Sequence, residues 1–497
     1  MSRRGKVSRG CGTCRKRKIR CDETLPVCRQ CLKAGWDCPK YGDVTERLFQ
    51  NRTVADFLVG SSPKLASAGE SYPVQLDVRK HTLPQHIILP IEDRAIDLFL
   101  ASHVPRDTVF IRGCFEYLPE FRQNNSRDPG FLASLNVAAL AAYGNTVQSS
   151  SVQNKARTYL GSAIRHINSA LMSPQEAVKD STVISIMLLA TFETITCRDQ
   201  KSLKDCDMHT KGATAIIELR GHGQLQTRLG MQLFVQMCGD ISRGCLQRSV
   251  RVPAGVIAAR SHAAKLLGNP DIAWQLSDLV IELADFRASV KDGSLSKPED
   301  IQRCGLKIDG RLSALVDGIP TKYKFEVFSS AGPNHLIWEG FYHVYPSFWA
   351  AYFWNNVRTC RMLLHQEIHR QAKHFGLDSE SQSSFSLNII RQMSLDICAS
   401  VPQYSGYLPL LESFPKVLTG SETQSPPKLL PGSSVHAHAV YSLIWPLLIV
   451  GYATKSDEHR LWIVERARDI GRTTGIHQAF ALADVLEKQE RIHVWDD

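Results

Sequence analysis

From residue 91 onward, apolar side chains recur every three or four positions, the spacing that places them on one face of an α-helix. Strand-like alternation bounded by turns is scarce in this region. The pattern predicts helices over residues 91–104, 131–145, 151–172, 174–198, 203–219, 227–248, 254–267, 271–290, 337–374, 384–402, 435–454, 457–474 and 476–490. We therefore expect residues 91–497 to form one large, all-helical domain.

Two predicted helices have strong start signals. Ser173, Pro174 and Glu176 combine an N-cap, a proline at the first helical position and a capping-box glutamate. Ser456 stands before two acidic residues, which favour the positive end of a helix dipole. Both serines should therefore mark the beginning of a helix.

Other stretches interrupt the helical pattern. Residues 291–336 and 418–434 are rich in Gly, Pro and Ser, and they predict loops within the helical domain. Residues 41–90 predict a linker, in which no heptad pattern sustains a coiled coil. Residues 1–9 predict a basic arm.

Residues 10–40 hold six cysteines in two copies of the spacing C-x2-C-x6-C, separated by six residues. They are Cys11, Cys14, Cys21, Cys28, Cys31 and Cys38. One tetrahedral zinc ion takes four thiolates, whereas two zinc ions need eight ligand positions. Six thiolates fill eight positions if two of them bridge, and the first cysteine of each copy, Cys11 and Cys28, is the natural candidate. The spacing predicts a closed structural centre of two Zn²⁺ ions.

Charge is concentrated beside these cysteines. The chain of 497 residues has a net charge of +10, and residues 1–41 hold 12 Lys and Arg against 3 Asp and Glu. Five cationic residues stand between the second and third cysteines: Arg15, Lys16, Arg17, Lys18 and Arg20. The corresponding segment of the second copy, 32–37, has one positive and one negative residue. The first copy is therefore suited to contact nucleic acid, and the second to support it.

The cysteine spacing, the basic run and Pro26 in the central loop resemble the fungal binuclear zinc cluster. More weakly, residues 209–221 and 443–451 resemble the fungal-specific regulatory domain that follows such clusters. This resemblance implies a DNA-binding transcription regulator whose short helix enters the major groove. It implies that Arg17 and Lys18 contact a CGG triplet. Regulators of this family commonly control a metabolic or secondary-metabolite pathway, so the resemblance implies such a role here.

Geometry divides the basic residues further, because one short helix cannot turn all of them toward bases. Arg15, Lys16 and Arg20 are assigned to phosphates, which set register without reading sequence. The resulting expectation is a nuclear, zinc-dependent regulator whose partner is double-stranded DNA, with transcription machinery or a small-molecule effector as a further partner. The alternative is a protein-interaction co-regulator that keeps the zinc cluster but reads little DNA.

Other functional classes have weaker support. A redox C-x-x-C pair needs a strand-helix-strand context, which is missing around Cys11 and Cys28. His365 and His369 have the i, i+4 spacing of zinc ligands, but Gln366 replaces the glutamate of a zinc-protease motif. The uncharged apolar run 439–454 is shorter than a membrane span and predicts a buried helix. We expect neither an enzyme nor a membrane protein.

Overall fold

The computed structural model describes residues 11–22, 24, 27–38, 89–105, 115–199, 212–268, 271–330, 332–376, 380–405 and 437–490. The chain divides into two compact units, Met1–Ile88 and Leu89–Asp497. The predicted arm, almost all of the predicted linker and the predicted loop at 418–434 lie outside the described residues.

The first unit is organised around its thiols. Helix α1 is Gly12–Lys16 and helix α2 is Arg29–Lys33. Among the described residues 11–38, the buried core consists of cysteine side chains, with Val27 and Trp36 packed against it. Because these apolar groups are too few to stabilise a fold by burial alone, the fold of residues 11–38 depends on what the thiols bind.

The second unit is built mainly of helices, as the apolar period predicts. The helices are α3 Ile91–His103, α4 Leu118–Asn124, α5 Pro129–Thr146, α6 Ser150–Leu171, α7 Pro174–Ala177, α8 Asp180–Thr196, α9 over residues 212–220, α10 Arg228–Arg248, α11 Ala254–Leu267, α12 Ile272–Lys291, α13 Pro298–Asp317, α14 Phe348–His374, α15 Glu380–Tyr404, α16 Ala437–Tyr441, α17 Ile444–Ala453, α18 Asp457–Thr474 and α19 Gln478–Glu487. Short 3-10 helices cover Gly221–Gln226 and Thr321–Tyr323. Strands β1 Glu326–Ser329 and β2 Phe341–Val344 form an antiparallel hairpin, in which Val327 pairs with His343.

Both predicted start signals are confirmed. The Glu176 N–H donates to Ser173 Oγ, and Pro174 is the first residue of α7. The His459 N–H donates to Ser456 Oγ at 3.2 Å, at the beginning of α18. Local capping therefore determines where these helices begin.

The core of the second unit surrounds helices that are apolar on most sides. Helix α5 is buried over most of its length and packs against α3, α6 and α8. Helix α14 packs against α13, α15 and α17. The predicted buried helix in the apolar run is α17, whose residues from Ile444 to Gly451 are almost all buried. Within the described residues, no helix has both the length and the apolarity that crossing a membrane requires.

The prediction of a loop over residues 291–336 was wrong, because this stretch contains α13 and the first strand of the hairpin. One of its prolines misled the prediction, since Pro298 is the first residue of the helix, where the missing N–H costs nothing. One of its glycines has a packing role: a Cβ on Gly305 would lie 2.8 Å from Ile368 Cδ1. Ile301, Ile308 and Leu312 are buried with it on one face.

Three other predicted boundaries also differ. The helix predicted over 337–374 begins at Phe348, because the hairpin occupies the preceding residues. The stretch 174–198 contains two helices, α7 and α8, and the stretch 435–454 contains α16 and α17. In the last two cases the apolar period continues across a short break between two helices.

A buried polar cluster joins α13 to α14. Arg361 donates to both carboxylate oxygens of Asp309, at 2.7 and 3.0 Å. His365 is fully buried, with Nε2 3.4 Å from Asp309 Oδ2 and Nδ1 3.1 Å from Ser386 Oγ. Burial favours the neutral acid, but hydrogen bonds from His365 and Arg361 hold the pKa of Asp309 down at about 2. His365 therefore stabilises the helix packing through a carboxylate.

Candidate metal centre and nucleic-acid interface

The two cysteine copies fold in the same way. The Cys14 N–H donates to Cys11 Sγ at 3.5 Å, and the Cys31 N–H donates to Cys28 Sγ at 3.3 Å. Cys11 and Cys28 thus stand at the beginning of α1 and α2, where each sulfur accepts from an otherwise unpaired helix N–H. The first cysteine of each copy holds the equivalent place in its half.

The fold brings the six sulfurs into two groups of four that could each hold a metal ion. One group is Cys11, Cys14, Cys21 and Cys28, and the other is Cys11, Cys28, Cys31 and Cys38. Within each group all sulfurs lie within 4.8 Å of one another. The groups share the two cysteines that the ligand arithmetic assigned as bridges.

The sulfur spacings fit tetrahedral zinc. Zn–S bonds of about 2.3 Å give a tetrahedron with edges of about 3.8 Å. The Cys11–Cys28, Cys14–Cys28 and Cys11–Cys31 sulfur pairs, each within one group, are all 3.7 Å apart. The Cys14–Cys31 pair, which runs between the groups, is 4.0 Å apart. The donors are soft thiols only, which is the chemistry of a structural zinc site.

Protons compete for these sulfurs. Burial, together with sulfur contacts to Cys11 and Cys28, raises the pKa of Cys14 to about 12. Burial likewise raises the pKa of Cys31. Thiolates this close together are favoured only when cations compensate their charge, so metal binding releases protons and stabilises the fold.

Hydrogen bonds outside the thiols connect the halves. Asp22 Oδ1 accepts from the Arg29 N–H at 3.0 Å, and Asp22 Oδ2 accepts from the Thr24 hydroxyl at 3.0 Å. The Thr13 hydroxyl donates to the carbonyl oxygen of Asp37 at 2.8 Å. These contacts fix the beginning of α2 and tie α1 to the end of the second copy.

Both helices end with the same turn, 17 residues apart. The Ile19 N–H donates to the carbonyl of Cys14 at 3.0 Å, and the Trp36 N–H donates to the carbonyl of Cys31 at 2.9 Å. Each turn requires one residue with left-handed backbone. In the second copy it is Gly35, with φ of +64°, and in the first copy it is Lys18, with φ of +55°. The first copy therefore places a lysine where the backbone favours glycine.

The basic segment lies on the surface at this turn. Lys16, Arg17, Lys18 and Arg20 are all exposed, while the side chain of Arg15 lies outside the described part of the chain. The short helix of the first copy, α1, ends at Lys16. The two residues assigned to bases, Arg17 and Lys18, stand in the turn that follows.

The Arg17 side chain contacts the second copy. Its guanidinium carbon lies 4.0 Å from the centroid of the Trp36 ring, which is half-buried against the thiols. Sequence reasoning missed this pair, and it also missed the capping role of Asp22. Aligning the two copies would have placed Lys18 opposite Gly35, but no local pattern signals a contact between copies.

The histidine pair weighed as a zinc site does not form one. His365 is occupied by Asp309 and Ser386 inside the helical unit. Among the described residues, the groupings of His, Cys, Asp and Glu able to hold a metal are the two at the N-terminal cysteines. The thiols described outside that cluster are mostly buried.

Comparison with known proteins agrees with this geometry. Residues 9–47 match the fungal Zn(2)-Cys(6) binuclear cluster domain, and residues 129–238, from α5 into α10, match the fungal specific transcription factor domain. Over 45 residues the chain is 49% identical to transcription activator AMTR1 of Alternaria alternata, and this stretch covers 9% of the chain and 6% of that protein. No solved structure matches the chain.

Both families are those of transcription factors, which are not enzymes. The sequence resemblance and the two Zn²⁺ ions are thereby confirmed. The chain contains a fungal Zn(2)-Cys(6) binuclear cluster domain, which binds two zinc ions, followed by a fungal specific transcription factor domain.

Proposed function

We propose that this protein is a nuclear, sequence-specific DNA-binding regulator of transcription. Its six N-terminal cysteines hold two zinc ions, with Cys11 and Cys28 as the bridging ligands. Arg17 and Lys18 read a CGG-like triplet in the major groove, and Arg15, Lys16 and Arg20 hold phosphates. The helical unit regulates this activity through transcription machinery or a small-molecule effector, in control of a metabolic or secondary-metabolite pathway.

One observation carries the proposal: an excess of exposed positive charge is confined to one of two equivalent turns. Lys16, Arg17, Lys18 and Arg20 surround the first turn without an acidic residue among them. The equivalent turn of the second copy has Lys33 and Asp37, whose charges cancel. A stabilising role would apply to both copies alike, whereas a polyanionic partner needs only one basic face.

The backbone supports the division of roles. Lys18 keeps a lysine side chain at a position where glycine is less strained, and such outliers often mark functional residues. Arg and Lys can donate to guanine O6 and N7 from the major groove. Lys16, two residues earlier at the end of α1, is assigned to a phosphate in this arrangement.

Salt dependence tests the proposal. Zinc-loaded full-length protein is titrated with a CGG-containing duplex and with a scrambled duplex at several salt concentrations. Each phosphate contact adds about 0.9 log units of affinity loss per tenfold increase in salt. For the three assigned phosphate contacts, we expect log affinity to fall by about 2.7 or more per tenfold increase in salt. We also expect tighter binding to the triplet duplex than to the scrambled duplex.

Variants separate the roles. Lys16→Ala should weaken both duplexes equally and reduce the slope by about 0.9. Lys18→Ala should lower the preference for the triplet by about 1–3 kcal/mol. Lys33→Ala, at the position equivalent to Lys16 in the second copy, is the matched control. It should change neither the salt slope nor the preference for the triplet. Equal affinity for both duplexes, or no salt-dependent binding, would favour the protein-interaction co-regulator instead.

A further inference from the structure

Arg17 and Trp36 form a pair across the two cysteine copies. The guanidinium carbon lies 4.0 Å from the ring centroid, well within the range of a cation–π interaction. The residue that follows Arg17 has the strained left-handed backbone, and the residue before Trp36 is Gly35 in the equivalent turn. The two turns thus bring the basic side chain of one copy onto the aromatic side chain of the other.

The tryptophan side of this pair is fixed by the zinc-binding fold. Its backbone N–H donates to the Cys31 carbonyl at 2.9 Å, and its side chain packs against the buried thiols. The Thr13 hydroxyl holds the adjoining Asp37 carbonyl. The ring is therefore a rigid surface on which an exposed side chain can rest.

The arginine side is held by the ring and leaves its donors available. Arg17 is exposed, and among the described residues its side chain has no hydrogen bond or ion pair. Stacking uses the face of the guanidinium, whereas the N–H groups that would bind guanine point outward from its edge. A long side chain that is already oriented loses less conformational freedom on binding.

We propose that Trp36 is a positioning residue, which holds the Arg17 guanidinium ready to donate to a guanine edge. This inference rests on the proposed DNA-binding function. The ring takes no part in base contact itself and acts only through Arg17. The contact also accounts for arginine at this position, because the compact ammonium of lysine offers no planar group to stack.

The test compares Trp36→Leu with the conservative Trp36→Phe in zinc-loaded full-length protein. Leucine keeps apolar packing against the thiols but has no aromatic face. We expect Trp36→Leu to keep two zinc ions, to weaken triplet binding about 3- to 10-fold and to leave scrambled-duplex binding within about twofold. Trp36→Phe should restore most of the triplet affinity.

An Arg17→Ala background decides whether the ring acts through the arginine. There, Trp36→Leu should cause no further loss of triplet affinity, since the side chain it positions is gone. If Trp36→Leu fails to retain zinc, the same cycle is run with Trp36→Phe, for which we expect a loss of about twofold that vanishes without Arg17.

Two results would overturn the inference while leaving the proposed function intact. One is an equal loss on both duplexes, which means that Trp36 only supports the fold. The other is a triplet loss that persists undiminished in the Arg17→Ala background. Absence of any triplet preference in the unmodified protein would instead refute the proposed function, and the inference with it.

Discussion

Replacing Lys18 with glycine should make the zinc-bound module more stable and less able to read DNA. Left-handed backbone costs a non-glycine residue about 1–2 kcal/mol, and Lys18 has φ of +55°. Glycine also makes the unfolded chain more flexible, which lowers the free energy of unfolding by about 0.4–1 kcal/mol. The free energy of unfolding of Lys18→Gly should therefore exceed that of the unmodified protein by about 0.5–1 kcal/mol, a factor of about two to five in the folding equilibrium constant.

The same change removes a side chain assigned to a base. Loss of such a contact lowers affinity for the triplet duplex by about 1–3 kcal/mol, or about 5- to 150-fold. Stability is assayed as the chelator concentration that removes half of the zinc from full-length protein, because folding of the module is coupled to metal binding. DNA affinity is assayed with zinc in excess.

Gly35→Ala is the matched control in the second copy. Gly35 has φ of +64°, and an added Cβ would have no atom within 4 Å, so the change adds backbone strain and makes the unfolded chain less flexible, the reverse of Lys18→Gly. Zinc retention should weaken by about 1 kcal/mol, while triplet affinity at saturating zinc should stay the same. Two results would contradict these roles of Lys18: a Lys18→Gly variant that loses zinc at a lower chelator concentration than the unmodified protein, or one that keeps full preference for the triplet.

Further predictions concern the shared zinc ligands, the Asp309 carboxylate and two glycines of α13. Cys11→Ser should weaken binding of both zinc ions, whereas Cys38→Ser should spare the ion held by Cys11, Cys14, Cys21 and Cys28. The number of zinc ions per protein measures this, and equal effects of the two variants would contradict the shared ligand. The lowered pKa of Asp309 contributes about 2 kcal/mol of stability, complete above about pH 4 and lost as pH falls toward about 2. The unfolding midpoint of Asp309→Asn should therefore lie below that of the unmodified protein at pH 7 and approach it only near pH 2, and a gap that widens in acid would be inconsistent. On α13, Gly310→Ala should raise the free energy of unfolding by about 1 kcal/mol, because the added Cβ meets open space. Gly305→Ala should lower it by about 1–3 kcal/mol, because the added Cβ meets Ile368. Thermal unfolding midpoints in the reverse order would contradict this position of the helix.

The metal centre was the most predictable part of the chain. Ligand number and the repeated spacing follow from zinc chemistry, so the sequence alone indicated that Cys11 and Cys28 occupy equivalent places. The long helices were also predictable, because their apolar faces recur with a regular period. Capping at Ser173 and Ser456 depends on neighbouring backbone only, so local sequence was sufficient.

Features that depend on distant contacts could not be predicted. Helix α13 looked like a loop because Gly305 counts as a helix breaker until Ile368 is seen against it. The hairpin displaced a predicted helix start because cross-strand pairing overrides a short apolar run. The contact between Arg17 and Trp36 joins two copies of a repeat, and each copy alone shows only an ordinary cation or an ordinary aromatic residue.

Zinc-dependent reading of a triplet can be measured by selecting DNA from a random library with full-length protein, first loaded with zinc and then treated with a chelator. We expect enrichment of CGG-like triplets that disappears when zinc is removed. The number and spacing of triplets would also show whether one or two modules bind together. If zinc-loaded protein retains two metal ions and enriches no sequence, the cysteine cluster does not read DNA as proposed.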